Sequence, residues 1–416
     1  MCTLRWTCFL CFLAILNLPL FAVAPPGSVV QLAELTPSTR VTNDWFGVAI
    51  AVSGNTVVVS DFDPNIENFG AVYVYVKPAT GWQNMTQVAK LTSSDNGQGF
   101  GVSVAISGNT IVVGAANTSN FDAPAAGPGA AYVFVEPSGG WTDMTETAKL
   151  TASDGQNGDA FGDSVSISGG TIAVGAFFAA DSSGNSFAGK AYVFLRPASG
   201  WSGNLTETAR LTASDSQLLN YLGASVATNG NTVIAGSDGH NNFQGTAYVF
   251  VEPAGGWKNM TQTAELSASD GHGSDNFGFS CSISGNTVAV GAPSAAAGFG
   301  AAYVFVKPAG GWASMTQTAE LRAPAATSGD GFGQSIGISG NAVVVGAPSA
   351  NQNVGAAYFF VKPSAGWKNS NKARVLTPFG GMAFDAFGVS SATSGAIAVV
   401  GAPASSAPGA AYVFEP

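Results

Sequence analysis

Acidic side chains recur at one position of a repeated pattern, two residues before an aromatic or apolar residue that is followed by glycine. The acidic members are Asp44, Asp159, Asp275, Asp330 and Asp385, with Asn220 and Gln98 in the remaining copies. Gathered around one opening, these carboxylates would attract a cation. Each side chain could instead accept backbone N–H bonds in an Asx-type turn, which asparagine forms equally well. The replacement by Asn220 favours the turn, and the five aspartates remain candidate ligand-binding residues.

Oxygen atoms also alternate along one acidic loop, through Asp61, Asp63, Asn65 and Glu67. A calcium ion needs about six to eight oxygen ligands, and an EF-hand loop supplies them with a glycine at its sixth place and a distal bidentate glutamate. Both features are missing from this loop. A solvated acidic loop is therefore the favoured interpretation, and a metal site is the weak alternative.

Residues for nucleophilic or acid–base chemistry are sparse. The two histidines, His240 and His272, lie in variable loops without metal-ligand spacing, and His240 is kept as a candidate ligand-binding residue. The chain has no Ser-His-Asp order, phosphate-binding loop or dinucleotide fingerprint. We therefore expect no enzymatic activity and no cofactor, with a hydrolase or lyase built on loop residues as the least favoured alternative.

The candidate residues belong to a unit that is written seven times, at intervals of 54 to 61 residues. The units open at Phe46-Gly47, Phe100-Gly101, Phe161-Gly162, Leu222-Gly223, Phe277-Gly278, Phe332-Gly333 and Phe387-Gly388. Each unit passes a short turn such as Ser-Gly-Asn, reaches Gly-Ala-Pro or a variant, and closes on Ala-Tyr-Val-Phe or a relative. A period of this size predicts an array of equal supersecondary units.

The second unit shows how one repeat would fold. Alternating residues predict strands over 100–106, 110–114, 129–135 and 146–151, and Pro137 ends the third because it cannot donate to a ladder. Gly108 and Asn109 form a tight turn between the first two strands. Four antiparallel strands per unit are typical of a β-propeller blade.

The two ends of the chain complete each other. The seventh unit stops after its third strand, while residues 31–36 match the fourth strand at 146–151. The N-terminal strand should therefore pair into the last blade and close the circle, hiding the exposed edges of an open array. We predict an all-β, seven-bladed propeller over residues 29–416.

The first 24 residues differ from the repeats. Arg5, an apolar run and Ala22-Val23-Ala24 predict a secretory signal peptide over residues 1–24, with an uncleaved anchor as the alternative. No later segment is long and apolar enough to span a membrane. After cleavage Cys281 is the only cysteine, and its place in the repeat, equivalent to Val104, predicts a small core residue.

The composition limits the partners. Only 10% of the residues are charged, the net charge is −10, and 54 residues are glycine. Nucleic acids and anionic membranes need a basic surface, so neither is an expected partner. We expect a secreted monomer that binds an extracellular protein or a glycan.

Phe-Gly followed by Gly-Ala-Pro resembles the FG-GAP repeat, the unit of the propeller of integrin α-subunits. The complete matches are Gly291-Ala292-Pro293, Gly346-Ala347-Pro348 and Gly401-Ala402-Pro403. The resemblance covers the chain from about residue 29 to its end, and it implies a seven-bladed propeller used for adhesion or ligand binding.

Integrin-type repeats often carry calcium between the first two strands, in Asp-x-Asp-x-Asp-Gly runs. The corresponding turns here read Ser53-Gly54-Asn55, Ser107-Gly108-Asn109 and similarly in the other units. Calcium thus remains possible as a cofactor, but the family's calcium loops are absent.

Strand alternation predicts two unlike faces. One face carries the Ser-Gly-Asn turns and a Gly-Trp hairpin that recurs in six units. The other carries the loops that differ most, including 116–128, 177–188 and 237–244. Binding usually lies on variable loops held by a rigid scaffold, so we expect the site there. A lectin using the hairpin tryptophans or gaps between blades is the alternative.

Overall fold

The computed structural model describes residues 29–39, 45–62, 70–117, 127–403 and 408–416. The predicted signal peptide therefore lies outside the described residues. The described residues form seven β-sheets. Their helices are three four-residue turns: His240–Phe243, Ala295–Gly298 and Ala350–Asn353. The predicted all-β, seven-bladed propeller is confirmed.

Each sheet is one blade, with four antiparallel strands counted from the axis outward. The first strands are Ile50–Ser53, Phe100–Ser107, Val165–Ser168, Ser225–Thr228, Ser280–Ser284, Ser335–Ser339 and Ser391–Ser394. The second strands are Thr56–Asp61, Thr110–Ala115, Thr171–Ala176, Thr232–Ser237, Thr287–Ala292, Ala342–Ala347 and Ile397–Ala402. The third strands are Ala71–Val76, Ala130–Val135, Lys190–Leu195, Thr246–Val251, Ala301–Val306, Ala356–Val361 and Ala410–Glu415. The fourth strands are Ala89–Thr92, Ala148–Thr151, Ala209–Thr212, Ala264–Ser267, Ala319–Leu321, Arg374–Leu376 and, for blade 7, Val30–Thr36.

Burial explains why the strands differ in sequence. The second strands are covered by a neighbouring blade on both sides, so Thr110–Ala115 is buried at every residue and reads as a continuous run of small and branched side chains. The fourth strands lie further out, and Ala148–Thr151 alternates between buried and half-buried residues. Strands could be predicted from periodicity because the first to fourth strands of every blade each have a characteristic pattern of buried and exposed residues.

The hydrophobic core lies between blades. Phe161, from the opening of blade 3, packs edge-on against Tyr192 of its own blade, with ring centroids 5.3 Å apart. The same cluster contains Val133 and Leu150 of blade 2. Equivalent clusters join the other neighbours, so each Phe-Gly phenylalanine fills the interface between two blades.

Glycines allow neighbouring blades to meet at backbone distance. A Cβ atom on Gly175 of blade 3 would lie 2.0 Å from the carbonyl oxygen of Gly223 in blade 4. That oxygen accepts a hydrogen bond from Ser164 Oγ at 2.7 Å. Six interfaces share this bond, at 2.7–2.8 Å, with the donors Ser103, Ser164, Ser225, Ser280, Ser335 and Ser390.

The ring closes as predicted. Val30–Thr36 pairs antiparallel with Ala410–Glu415, with Leu35 opposite Ala411. Ser390 Oγ donates to the carbonyl of Gly47 at 2.7 Å, so the interface between blades 7 and 1 uses the same bond as the others. The termini therefore meet inside one blade.

Five blades carry a short fifth strand that the sequence did not predict. After the tryptophan hairpin, the chain pairs in parallel with the fourth strand of the preceding blade. These segments are Met85–Thr86, Met144–Thr145, Gly203–Thr206, Met260–Thr261 and Met315–Thr316. Neighbouring blades are therefore joined at the outer rim as well as near the axis.

A side-chain bond follows each fifth strand. Gln262 Oε1 accepts the backbone N–H of Ser214 in the preceding blade, and its Nε2 donates to the Ser214 hydroxyl. Related pairs are Ser38–Gln87, Ser94–Glu146, Ser153–Glu207, Ser269–Gln317 and Phe379–Gln31. Gln31 makes this contact from the N-terminal strand, so the closing strand takes the place of an ordinary fourth strand here too.

Removing the core contact of the closing strand should destabilise the whole ring. Leu35 is fully buried between blades 7 and 1. We expect Leu35→Ala to lower the free energy of unfolding by about 2–5 kcal/mol in denaturant titrations. Val30→Ala, at a half-exposed position of the same strand, is the control and should change it by less than about 1 kcal/mol. Equal effects of the two substitutions would contradict closure by this strand.

Candidate functional site

Four of the five candidate aspartates lie in described residues, and each is held inside its own loop. Every carboxylate accepts the backbone N–H of the residue three positions earlier. The pairs are Asp159 with Gln156, Asp275 with His272, Asp330 with Thr327 and Asp385 with Met382, at 2.6–2.8 Å. All four are 6–7% exposed. Asp44 lies outside the described residues.

This geometry is a local turn closed by a bond from side chain to backbone, directly before the first strands of blades 3, 5, 6 and 7. Burial raises the pKa of Asp159, and the N–H of Gln156 opposes that rise by stabilising the carboxylate. The carboxylates are turned into the loops that they order. Ligand binding by this set stays a prediction.

His240 lies on the variable-loop face and contacts a neighbouring blade. Its Nε2 is 3.0 Å from Asp215 Oδ2, and the hydroxyl of Tyr248 donates to the other carboxylate oxygen at 2.8 Å. Asp215 follows the fourth strand of blade 3, while His240 and Tyr248 belong to blade 4. The histidine side chain therefore joins two blades.

The same Tyr–Asp bond occurs at three further interfaces, and sequence reasoning missed all of them. The pairs are Tyr132–Asp95, Tyr192–Asp154 and Tyr303–Asp270. Burial would raise the pKa of Asp154, but Lys190 and Arg210 hold it below its ordinary value. The available signal was the Ser-Asp pair that follows each fourth strand in blades 1 to 4.

The weak metal candidate is described only at its first residue. Asp61 Oδ2 accepts a bond from the Tyr73 hydroxyl at 3.5 Å. Asp63, Asn65 and Glu67 lie outside the described residues, so metal binding there stays a prediction. Across the described ranges, no group of three or more His, Cys, Asp or Glu side chains is arranged to hold a metal ion.

The hairpin tryptophans are core residues. Their side chains are only 3–8% exposed: Trp82, Trp141, Trp201, Trp257, Trp312 and Trp367. Trp141, for example, packs in the cluster that joins blades 1 and 2. A ring buried in this way offers no face to a sugar, so these residues do not form the stacking platform considered for a lectin.

Cys281, predicted to be a small core residue, is partly buried. It packs against the cluster between blades 4 and 5, and burial raises the pKa of its thiol to about 12. The thiolate, which is the reactive form, is therefore scarce at neutral pH.

The variable-loop face carries an aromatic cluster on blades 3 and 4. Its members are Phe177, Phe178, Phe187, Tyr221 and Phe243, with neighbouring ring centroids 4.0–6.5 Å apart. Phe187 is 39% exposed. Tyr221 and Phe187 have φ angles of 57°, in the left-handed region that non-glycine residues seldom adopt. Other blades share this conformation at both positions, as at Ala160 for Tyr221 and Asn353 for Phe187, so it belongs to the repeated turns.

Two carboxyl groups border this aromatic cluster. The negative charge of Asp238 helps to raise the pKa of Tyr221 on one side and that of Asp163 on the other, beyond the effect of burial. The pKa of Asp163 rises from 3.8 to about 7, first through burial and then through Asp238. Within the described residues, no basic side chain offsets these rises.

Asp163 is exceptional among seven equivalent residues. Each follows the opening glycine and lies half-buried or exposed at the start of a first strand: Val48, Val102, Asp163, Ala224, Phe279, Gln334 and Val389. Because the first strands surround the axis, this charge lies at the mouth of the channel. Comparing the seven repeats at this position identifies it, whereas the aspartates before each opening residue are conspicuous because they recur.

Comparison with known proteins places the chain in a family. A family model described as the FG-GAP repeat matches residues 29–75, 85–134, 144–194, 205–250, 260–305, 315–360 and 371–414. The chain belongs to the FG-GAP repeat family. Propellers of this family are in general protein-interaction domains and typically extracellular. A search of curated proteins found no match.

A solved structure supports the fold alone. The crystal structure of Raptor from Chaetomium thermophilum aligns with 92% of this chain at a TM-score of 0.51 and 9% identity. The alignment covers 29% of the Raptor chain, so this protein spans less than a third of its length. None of the described helices has the length and apolar character needed to cross a membrane.

Removing the bond between an aspartate carboxylate and the backbone N–H three residues earlier should destabilise the protein. A substitution that keeps an acceptor oxygen should not. In Asp385→Ala the N–H of Met382 loses its partner, and we expect a loss of about 1–3 kcal/mol in the free energy of unfolding. Asp385→Asn keeps an acceptor oxygen and should lose less than about 1 kcal/mol. Chemical denaturation of both variants tests this, and equal losses would show that the negative charge itself matters.

The raised pKa of Asp163 predicts a pH-dependent stability. Between about pH 4 and pH 7 the folded protein keeps a proton that the unfolded chain has released, so stability falls as the pH rises. Asp163→Asn removes this term. We expect the variant to match the wild type near pH 4 and to exceed it above pH 7, by at most about 4 kcal/mol. A constant difference across that range in thermal melts would contradict the assignment.

Proposed function

We propose that this protein is a secreted, non-catalytic binding protein that recognises an extracellular protein through its variable-loop face. The observation that carries the proposal is the five-ring aromatic cluster of blades 3 and 4, bordered by Asp163 and Asp238. Aromatic residues are enriched at the energetic centres of protein interfaces. The adjacent carboxyl groups add polar specificity at the rim of such a surface.

The contrast between the two faces supports this choice. On the hairpin face the tryptophans are buried and repeat from blade to blade, so their shared role is packing. On the variable-loop face the longest loops contribute exposed apolar side chains such as Phe187 and Leu218, at 39% and 59%. Clustered exposed apolar groups usually mark an interaction site.

Secretion rests on the N-terminal sequence pattern together with the typical setting of FG-GAP repeats. The non-catalytic role rests on the sequence, which shows no nucleophile with a base in a known order.

A glycan is the second candidate ligand. A polar cleft of about 690 Å³ beside blade 3 is lined by Asp154, Asp181, Lys190 and Arg210, together with several hydroxyl groups. Paired charges and hydroxyl groups are the kind of lining that sugar hydroxyls match. A glycan array with calcium and again with a chelator tests this candidate.

The main proposal is tested by removing exposed apolar side chains from one face at a time. Immobilised wild-type protein is compared with Phe187→Ser/Leu218→Ser on the variable-loop face, using extracellular proteins from its native surroundings. We expect the double variant to retain at least about tenfold less of a partner protein than the wild type does. Residues at the centre of an interface contribute more than about 1.4 kcal/mol to the binding free energy, which corresponds to this factor.

The matched control is Leu195→Ser/Val361→Ser, which removes two exposed apolar side chains at the hairpin ends of third strands. This control should bind like the wild type. Partner loss in the control but not in the test variant would place binding on the other face. Chelator-sensitive binding to one glycan, unchanged by either pair of substitutions, would favour the lectin.

A further inference from the structure

The fourth strand of blade 6 differs from the other fourth strands at its outer edge. In blades 7, 1, 2, 3 and 4 that edge is covered by the parallel fifth strand from the following hairpin. In blade 5 the following hairpin covers it through Ser370, whose N–H donates to the carbonyl of Glu320. Within the described residues, Arg374–Leu376 of blade 6 has no such cover.

The cause lies in how the ring closes. The fourth strand of blade 7 is Val30–Thr36, and residues 1–28 contain no Gly-Trp sequence like the one that precedes the other fourth strands. Its first residues stay on their own sheet, with Val30 opposite Glu415 and Gln31 opposite Phe414. Their backbone therefore does not pair with blade 6, and only the side chain of Gln31 reaches it, where Oε1 accepts the N–H of Phe379.

A groove of about 550 Å³ lies where the missing strand would pair. One wall contains Val29 and Val30, and the other contains Val375, Pro378 and Phe379. Phe379 is 90% exposed and Val375 is 46% exposed. Apolar side chains beside an unpaired strand edge are the features to which extended peptides add as strands.

Other blades show which atoms such a strand would meet. Val375 takes the register position of Glu320, because each lies opposite the tyrosine of its third strand. The N–H of Glu320 bonds to Asn369 Oδ1 at 2.9 Å, and the equivalent N–H of Lys90 bonds to Asp143 Oδ1 at 2.7 Å. The N–H of Val375 is thus directed at the groove.

The covering segments also define the side chains that fit. In four of the five blades that carry a fifth strand, a methionine lies opposite a buried leucine. The pairs are Met85–Leu35, Met144–Leu91, Met260–Leu211 and Met315–Leu266. Leu376 is the matching leucine of blade 6 and is fully buried. A threonine follows each methionine and faces outward.

Charge adds a further preference. Lys372 and Arg374 are exposed beside this edge and make no ion pair among the described residues. The protein as a whole carries a net charge of −10. An acidic residue next to the methionine, as in Asp143-Met144-Thr145, would therefore meet local positive charge.

We propose that the outer edge of blade 6 binds an extended segment of a partner protein, which pairs in parallel with Arg374–Leu376 through an acidic–methionine–threonine or similar sequence. The partner's apolar side chain lies over Leu376, and its acidic side chain accepts the N–H of Val375. This site is at the outer rim and does not depend on the aromatic cluster of the proposed function.

The probe for the test is acetyl-Thr-Asp-Met-Thr-amide, the sequence of residues 142–145. Titration into isotope-labelled full-length protein should shift the backbone amide signals of Val375, Leu376 and Thr377. Replacing the probe's methionine with aspartate, or methylating the backbone nitrogen that follows it, should abolish the shifts. Unchanged signals at these three residues with millimolar probe would overturn the proposal.

Two variants separate the groove from the rest of the surface. Phe379→Ser should weaken probe binding by about fivefold or more, because it removes an exposed wall of the groove. Val361→Ser, at a 55% exposed residue in the same blade but outside the groove, should bind like the wild type. Equal weakening by both would overturn the site.

The alternative occupant of this groove is the N-terminal segment of the same chain. A chain beginning at Pro25 is compared with one beginning at Val29. Equal probe binding supports a partner segment, whereas binding by the shorter chain alone would assign the edge to residues 25–28 and overturn the proposal. The Phe187→Ser/Leu218→Ser variant should bind the probe normally, so failure here and failure of the proposed function remain distinguishable.

Discussion

A glycine carbonyl held between two blades is the contact on which this ring depends. Gly223 O accepts the hydroxyl of Ser164 and occupies the space that a side chain on Gly175 would need. The Phe-Gly of one blade therefore fits against the Gly-Ala of the blade before it. The repeated motif therefore specifies the contact between two neighbouring blades more than the fold of a single blade. Both glycines are required at the same contact, because a Cβ on Gly175 would force the two backbones apart.

Where one partner of a repeated contact changes, the other changes with it. In blade 1 the serine of the first strand is Ala49 and the glycine opposite it is Ser60, whose hydroxyl bonds to Ala49 N–H at 3.0 Å. Between blades 5 and 6, the side-chain bond that follows each fifth strand elsewhere cannot form. It would need the N–H of residue 324, which is proline, and an acceptor atom at residue 372, which is lysine. Backbone bonds through Ser370 take its place. The repeats have therefore diverged as coupled pairs, which preserves the satisfaction of buried polar groups.

The sequence predicted the parts of the fold that repeat along the chain. Blade number and closure followed from the seven repeats and from matching residues 31–36 with 146–151, and the prediction that the aspartates bond to nearby backbone N–H groups agrees with the four described ones. The Tyr–Asp bonds escaped because their partners belong to different blades, such as Asp95 and Tyr132, 37 residues apart. Asp163 escaped because a single charge forms no pattern. Periodicity in the sequence predicts the structure within one unit, whereas contacts between units can be identified only when the geometry of the ring is known.

Ring closure itself accounts for the uncovered strand. Blade 7 takes its fourth strand from Val30–Thr36, and residues 1–28 hold no Gly-Trp sequence like those that lead into the covering segments of the other blades. Among the described residues two of the seven outer edges lack a fifth strand, and only that of blade 6 also lacks the backbone bonds that Ser370 gives to blade 5. The exposed Val375 and Phe379 stand at that edge. The position of Val375 holds lysine, arginine or glutamate in the other fourth strands, and the position of Phe379 holds serine except in blade 5, where it is Pro324. Lys372 and Arg374 charge this edge, but the apolar side chains of Val375 and Phe379 beside them are what an added strand would cover, and this supports the proposed partner.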